Sequence, residues 1–439
     1  MQMKRLRVLI SSHEFSPEQG SECAVGWNIV TRLAAFHDVT VLCADGPALW
    51  QNSYRNAVER YFSLNGEIAG LKVVYVEQPP ETLRYARINR NLMKLTTGIG
   101  WQPLYYLGLG EWHKAAFQKA SALGLENFDV VHQLTPISFL RPGYLWISGK
   151  PFFWGPLGGM YKVPVSFARS GGIKSLMLES VRSFNIDRQV RTDSFKRIVQ
   201  KAKRIWTVTE DERRIVDSIV VGKTVPMVDT SPPANISGRV RQYDEREPLR
   251  LCWSGGHEPR KALPLLLHTI AALPERQKVF LDVLGQGPES QKWKETANKL
   301  GLKNIRWHGR LPYHEALNAM DKANVFIHTS YREAASMVVL EALGWGMPVI
   351  CHDACGMAVA VNSTCGIKVP FINPERSIEG FRQAIEQLLH NPLRVEQLSR
   401  GALRRASELS WDAKAEEIAE TYTRSDKTSS KEEKFICIT

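Results

Sequence analysis

The chain lacks any apolar run approaching the ~18 residues needed to cross a bilayer as a helix. It also lacks a C-x-x-C pair. Its seven cysteines, Cys23, Cys43, Cys252, Cys351, Cys355, Cys365 and Cys437, are scattered and odd in number. That pattern excludes a disulfide framework and reads as reduced thiols in a cytoplasmic protein. The tight group Cys351, His352, Asp353 and Cys355 has no second ligand pair at zinc-like spacing. It marks a strand end and the loop after it, and no metal is expected. A secretory signal is not expected either. "MQMKRLRVLISSHEF" begins basic, but its apolar run ends within a few residues.

What is present is the composition of a globular protein. Hydrophobic residues make up 44% and charged residues 23% of 439, enough for two domains at roughly 100–200 residues each. The formal net charge is +12. Residues 1–248 hold 32 Lys+Arg against 23 Asp+Glu, whereas the rest hold 25 against 22. The basic half would attract phosphates, in nucleic acid or in an anionic membrane, or would simply be a solvated face.

Short β-branched apolar runs recur with helical stretches between them. The first series is "LRVLI" (6–10), "DVTVLCA" (38–44), "LKVVYVE" (71–77), "FDVVHQL" (128–134), "PFFWG" (151–155) and "RIWTVT" (204–209). The second is "LRLCWSGG" (249–256), "VFLDVLGQG" (279–287), "IRWHGRL" (305–311), "NVFIHTS" (324–330), "MPVICHD" (347–353) and "GIKVP" (366–370). Each series predicts a parallel sheet built from βαβ units, with ligands outside the carboxyl ends of the strands. The polar, Pro- and Ser-rich stretch 229–248 separates them as a linker. The expected organisation is therefore an α/β chain with two doubly wound, Rossmann-like domains, 1–228 and 249–395. A helix over 396–425 crosses back to the first domain, and a charged tail, 426–439, is mobile.

In "YREAASMVVLEALGWGMPVI" (331–350) a glutamate sits in a dry helix. Met337, Val338, Gly344 and Trp345 line the spacings around Glu341, and none is polar. A buried carboxylate costs several kcal/mol unless paired, so Glu341 requires a donor, either a ligand or an Arg or Lys of the protein. Glu333 lies at the carboxyl end of the preceding strand. Ser336 is a plausible N-cap, and the amides of Ser336, Met337 and Val338 open a helix N-terminus suited to an anion. "WSGGHEPRKALPLLL" (253–267) repeats the geometry. Gly255 and Gly256 permit close backbone approach. Arg260 and Lys261 open a helix, unfavourably for its dipole, and suit a diphosphate. "LGQGPE", with Gly285, is a further glycine loop that lacks the third glycine of a dinucleotide fingerprint.

Taken together these motifs resemble glycosyltransferase family 4, retaining enzymes with the GT-B fold, in which two Rossmann-like domains face a central cleft. Glu333 and Glu341 match the E-x(7)-E motif. "LEALGWGMPVI" is similar to "LEAMA-x-G-x-PVI", and "PRKALPLLL" to the phosphate-binding lysine segment. "LGQGPE" and "HGRLP", with Arg310, match loops around the nucleotide. "GSECAVGWN", "DVVHQLTP" and "FFWGPLGG" resemble one branch of the family in the N-terminal half.

The resemblance implies a UDP- or GDP-sugar as substrate and no cofactor. Glu341 would accept from ribose hydroxyls and Glu333 would contact the donor sugar. Lys261, with Arg260, would hold the departing diphosphate. Gly20 and Ser21 would lie opposite the donor phosphates, and His132 near the reacting centre; a histidine hydrogen-bonded at a strand end is the plainer alternative. On the acceptor side stand His13, Glu14, Trp154, Gly158 and Gly159. The chain departs from the family in three places: glycine replaces Arg in the "GR" pair, "AAS" replaces "GFG", and "H-Q-L" replaces "H-x-H". No D-x-D tripeptide occurs, so the diphosphate need not ride on a metal.

In "TLRYARINRNLMK", Arg84, Arg87, Arg90 and Lys94 recur at roughly helical spacing beside Leu83, Ile88, Leu92 and Leu95. A basic amphipathic helix suits an anionic membrane, or is a solvated helix on its own domain. The expected function is transfer of a sugar to a lipid-linked saccharide, in surface polysaccharide or lipopolysaccharide synthesis, peripheral to the cytoplasmic membrane. The alternatives are a GT-B sugar-nucleotide epimerase and a non-catalytic basic membrane- or nucleic-acid-binding protein. Nucleic acid is not expected as a partner, because aromatics beyond Tyr85 do not interleave the basic run.

Overall fold

The computed structural model describes residues 4–46, 53–95, 101–233 and 236–436; the side chains of Lys94, Leu95 and Lys174, and those beyond residue 425, lie outside the described set. The first half contains β1 (Arg7–Ser12), β2 (Asp38–Ala44), β3 (Leu71–Val76), β4 (Val130–Thr135), β5 (Phe152–Leu157), β6 (Ala202–Thr207) and β7 (Thr224–Pro226). They form a parallel sheet in the order β3-β2-β1-β4-β5-β6-β7. Its helices are α1 (Glu22–Leu33), α2 (Tyr54–Asn65), α3 (Pro80–Leu95), α4 (Gln102–Ala122), α5 (Val165–Ser170), α6 (Ile173–Val190), α7 (Asp193–Lys201) and α8 (Glu210–Asp217).

The second half contains β8 (Leu249–Ser254), β9 (Val279–Leu284), β10 (Ile305–Gly309), β11 (Val325–His328), β12 (Val349–His352) and β13 (Gly366–Val369). Their order, β10-β9-β8-β11-β12-β13, repeats the first sheet. Its helices are α9 (Leu263–Ala271), α10 (Ser290–Lys299), α11 (Tyr313–Met320), α12 (Met337–Gly344), α13 (Cys355–Ala360), α14 (Pro374–Leu389) and α15 (Pro392–Glu408), followed by α16 (Trp411–Ile436). Every strand expected from the sequence is present within a few residues. Only β7 has no counterpart in the sequence pattern, since three residues carry no period.

Both sheets are covered on both faces, which is why their strands read as continuous apolar runs rather than alternating ones. In β1, Val8 and Ile10 join one core with α1 and α16, while Leu9 joins the opposite core with Trp112 of α4. The final helix returns to the first domain. Ala415, Ile418, Ala419 and Tyr422 are buried against α1 and the sheet, Arg32 pairs with Asp412 at 2.6 Å, and the Trp206 indole donates to Glu417 at 3.3 Å. Where a mobile tail was expected from residue 426, α16 continues to Ile436.

The two halves also meet through α5 and α6. Phe167 stacks on Phe371 with centroids 4.3 Å apart, Ser166 Oγ donates to the Ile372 carbonyl at 2.9 Å, and Arg332 pairs with Glu179 at 2.6 Å. The buried apolar cluster of Val163, Phe167, Ala262 and Tyr331 fills this junction.

Candidate active site

In each sheet the strand order reverses direction beside the first strand, between β1 and β4 and between β8 and β11. Ligands of doubly wound sheets bind outside the carboxyl ends at such a switch point. The loops leaving β8 and β11 carry Gly255, Gly256, Arg260 and Lys261 on one side and Glu333 on the other.

The structure joins these residues at one carboxylate. Glu333 Oε1 accepts from Arg260 Nη1 at 3.0 Å, from Ser330 Oγ at 3.2 Å and from the Lys261 ammonium. Backbone ties fix the geometry. Thr329 Oγ1 donates to the Lys261 carbonyl at 2.8 Å, and the Ser330 hydroxyl and Tyr331 amide both donate to the Arg260 carbonyl at 3.1 Å. The sequence permits the tight turn because Pro259 starts it and Ala262 takes a left-handed φ of 51°. The glycine loops interlock behind it. Gly285 has φ +109°, and a Cβ there would stand 1.9 Å from the Gly255 carbonyl oxygen, so no other residue fits. His328, buried beneath, is pushed far toward its neutral form by desolvation and then by Lys261. The turn therefore concentrates positive charge that a single carboxylate holds in place. Arg310 is exposed just past β10, outside this hydrogen-bonded cluster.

Helix α12 begins beside it. Ser336 precedes the helix without a side-chain cap bond, and Met337 is exposed. The first-turn amides of Met337 and Val338 have no carbonyl four residues back within the helix, so this end carries the positive end of the helix dipole. Glu341, on the same helix, is buried and holds no ion pair among the described residues. Its partner is neutral: the Tyr313 hydroxyl donates to Oε1 at 3.0 Å. Burial raises the Glu341 pKa and the Tyr313 bond lowers it by less; Tyr313 itself is pushed up to about 12 by burial and by Glu341. Tyr313, Ser330 and Arg332 carry no signal in the sequence, where no spacing links them to the glutamates.

The N-terminal switch point differs in character. Gly20 and Ser21 open α1; a Cβ on Gly20 would meet nothing within 4 Å, and Ser21 sits at φ 56°. His13 is buried edge-on to Trp112 at 4.7 Å, and Gln78 Nε2 lies 3.3 Å from its Nε2. Desolvation pulls the His13 pKa down to about 4. Glu14 accepts weakly from the Tyr105 hydroxyl at 3.5 Å and from the Cys23 thiol at 3.9 Å. Burial raises its pKa. Glu22, in the first turn of α1, is pushed up to about 8 by desolvation and then by Glu14, with Asp229 contributing. Glu22 Oε2, Asp229 Oδ1, His13 Nδ1 and Gln78 Oε1 are buried without a hydrogen-bond partner among the described residues. Glu22 is legible in the sequence as the residue after Gly20 and Ser21; Asp229 reads there only as linker.

Two expected site residues belong to the core instead. His132 is 0% exposed, with the Tyr422 hydroxyl at its Nδ1 and the Gly155 carbonyl 2.7 Å from its Nε2. Desolvation lowers its pKa to about 4. Both nitrogens are engaged under α16, so the imidazole offers no face to a substrate, and the strand-end alternative describes it. Trp154 is 1% exposed and packs edge-on to Phe195 at 6.0 Å, because its position on β5 points toward α7. Gly158 is buried, whereas Gly159, at φ +96°, lies in a loop held by Arg182 of α6, which donates to the Gly159 carbonyl at 3.3 Å. Among the described residues no group of three or more His, Cys, Asp or Glu side chains is arranged for a metal ion.

A family model described as "Glycosyl transferases group 1" matches residues 241–405. D-inositol 3-phosphate glycosyltransferase of Streptomyces bingchenggensis is 26% identical over 315 residues, covering 64% of this chain and 67% of its own length. Lipopolysaccharide glucosyltransferase WaaG of Escherichia coli is 35% identical over 143 residues, covering 31% of this chain and only 36% of its own length. Among solved structures, Anabaena HepE in complex with UDP covers 95% of this chain and 100% of its own, with a TM-score of 0.53 and 13% identity, a likeness of fold alone. The motifs and these relatives agree: residues 241–405 are similar to the group 1 glycosyltransferases, and the paired sheets share the GT-B fold of the solved glycosyltransferase structures.

Proposed function

We propose that the protein transfers a sugar, with retention of anomeric configuration, from a UDP- or GDP-sugar to a lipid-linked saccharide in surface polysaccharide or lipopolysaccharide synthesis. The observation that carries this reading is the convergence of Arg260 and Lys261 on Glu333 beside the start of α12. Glycosyl transfer builds positive charge on the sugar and negative charge on the leaving phosphate. Fixed cations and helix amides aimed at that phosphate supply most of the stabilisation. In the proposed complex the diphosphate takes over the Lys261 and Arg260 donors and the amides of Met337 and Val338. Glu333, released from part of its ion pairing, accepts from hydroxyls of the donor sugar. Glu341 accepts from the ribose beside Tyr313. Attack from the same face, guided by the leaving phosphate, needs no protein nucleophile and no metal.

The acceptor belongs at the other switch point. His13, Glu14, Glu22 and Asp229 present polar atoms with few protein donors or acceptors, which suits a hydroxyl-rich saccharide. HepE is solved with UDP and WaaG is named for lipopolysaccharide; these names support the donor and acceptor classes. Membrane contact through Arg84, Arg87 and Arg90 fits their exposure on α3; Lys94 lies outside the described side chains. No described helix is long and apolar enough to cross a membrane, so contact would be peripheral, on the cytoplasmic face.

Thermal-shift screening against nucleotides and sugar nucleotides tests the donor. A true donor at about a hundredfold excess over its Kd adds about 2.7 kcal/mol of stability. The best ligand is then incubated with saccharide acceptors. Binding without transfer, or epimerisation of the donor alone, would overturn the proposal.

A further inference from the structure

Helix α6 turns an apolar face to solvent. Its outward face carries Ile173, Met177, Leu178, Val181 and Phe184 at 70%, 63%, 60%, 59% and 68% exposure. Their spacing places them on one side of the helix, along roughly 16 Å of its axis. The opposite face carries two charged residues beside the buried Ile186. Glu179 is 5% exposed and pairs with Arg332 at 2.6 Å. Arg182 donates to the carbonyls of Tyr161 at 2.8 Å and Gly159 at 3.3 Å, and its guanidinium lies 4.6 Å from the centre of the Tyr161 ring. These contacts fix the rotation of the helix, so the apolar stripe cannot turn in. A contiguous stripe of this size on a solvated helix marks an interaction surface.

Charge identifies the occupant. Residues 162–201 hold nine Lys+Arg and three Asp+Glu. Of the acids, Glu179 is buried and Asp187 is held by Lys162 at 2.5 Å. Arg169, Arg188, Arg191, Lys196 and Arg197 are exposed on α6 and on the flanking helices α5 and α7 that pack against it, with Asp193 the exposed acid among them. A second copy docked about a twofold axis would set the same positive charges against each other. An anionic bilayer satisfies both features at once: apolar side chains enter the headgroup boundary and the basic residues meet lipid phosphates.

We propose that the outward face of α6 is a docking surface for an anionic lipid bilayer, separate from the basic helix α3. The inference rests on the membrane-surface reading above and adds a second, apolar anchor to it. The inner face of the same helix holds the Gly159 loop and Arg332, the neighbour of Glu333. Docking would therefore brace the segment on which both sides of the cleft lean.

The test is flotation of the full-length protein with vesicles of phosphatidylcholine, alone or mixed with phosphatidylglycerol. Wild type should float with the anionic vesicles. The double variant Met177→Asp, Phe184→Asp should partition at least about tenfold more weakly, with unchanged melting temperature and unchanged shift on nucleotide. Arg188→Glu, Arg191→Glu should weaken flotation in a salt-dependent way. If wild type floats and the α6 variants float equally, while Arg84→Glu, Arg87→Glu does not, the α6 proposal falls and the membrane reading stands. If wild type floats with no vesicle, both fall. Light scattering on the same proteins settles the alternative occupant: a dimer that the Asp variant dissociates would overturn the proposal in favour of a contact between copies.

Discussion

The two switch points share a topology and differ in electrostatics. At β8 and β11, two cations and a hydroxyl are gathered on one carboxylate. At β1 and β4, two carboxyls and a neutral imidazole sit among few protein partners. Two sheets of the same topology thus carry one wall of gathered cations and another of polar atoms with few partners. The fold supplies the position at the strand ends, and the loop residues supply the charge. Connecting the walls are α5, α6 and α16, none of which belongs to a recognised motif.

The largest effect should come from breaking the cationic wall. In the proposed complex Lys261→Ala removes a charge aimed at the leaving phosphate, and kcat for transfer should fall about 10²–10³-fold. Because it also frees Glu333, the double variant Lys261→Ala, Glu333→Gln should not lose the product of the two single effects. Steady-state kinetics with the identified donor would show it. A Lys261→Ala enzyme within a few-fold of wild type would mean that this wall does not receive the diphosphate.

The next largest effect tests whether His132 belongs to either wall. Its two hydrogen bonds, to Tyr422 and Gly155, are buried. His132→Ala should cost roughly 2–4 kcal/mol through the cavity and the orphaned partners. The pH profile of kcat/KM in the surviving folded fraction should not move, as it would if His132 met the substrate. Denaturant titration and pH–rate measurement on the same variant separate the two.

A smaller effect concerns Glu22 on the proposed acceptor wall. Its pKa is raised by burial to about 8. The folded state therefore holds a proton that the unfolded chain releases near 4.5, so stability is full below that pH and is lost as pH rises toward 8. Glu22→Gln removes this loss and keeps an acceptor for the Ile137 amide. Its advantage over wild type should grow across that window, to about 2 kcal/mol, less than the full shift implies because the residue keeps some exposure. Thermal melts at about pH 5 and about pH 8 measure it. Equal melting differences at both ends would show that Glu22 ionises freely and that the wall is wet.

How much of this is readable in the sequence follows from range. The strands are legible because each is a local apolar run, and their parallel pairing follows from two βαβ series, whereas the strand order does not. Gly255, Lys261, Glu333 and Glu341 are legible because each motif lies within one strand–loop–helix segment. His132 and Trp154 mislead for the opposite reason. Their environments are made by α16 and α7, distant in sequence, and a strand-end position alone does not say which face a side chain takes. Tyr313, Arg332 and Glu179 have no local signature at all. The stripe on α6 is in plain view, yet an apolar helical face reads by default as core, and only tertiary structure shows that Glu179 and Arg182 lie on the side turned in.

The smallest expected effect bears on the comparison most sharply, because Glu341 belongs to the proposed donor wall yet is surrounded like a core residue. Among the described residues its side chain has one partner, the neutral hydroxyl of Tyr313, itself 55% exposed. A carboxylate kept there for stability would have been given a cation. Burial opposes its charge, so the raised pKa makes the ionised form a cost of folding at neutral pH rather than a gain. Glu341→Gln should accordingly leave the ligand-free protein as stable or slightly more stable. The same change turns an ionised acceptor into a weaker neutral one, worth about 1.4 kcal/mol, so KM for the donor should rise about tenfold with kcat little changed. Tyr313→Phe should produce neither effect at that size. A stability loss of several kcal/mol in Glu341→Gln, with donor KM unaltered, would make Glu341 a structural carboxylate and remove it from the ribose site.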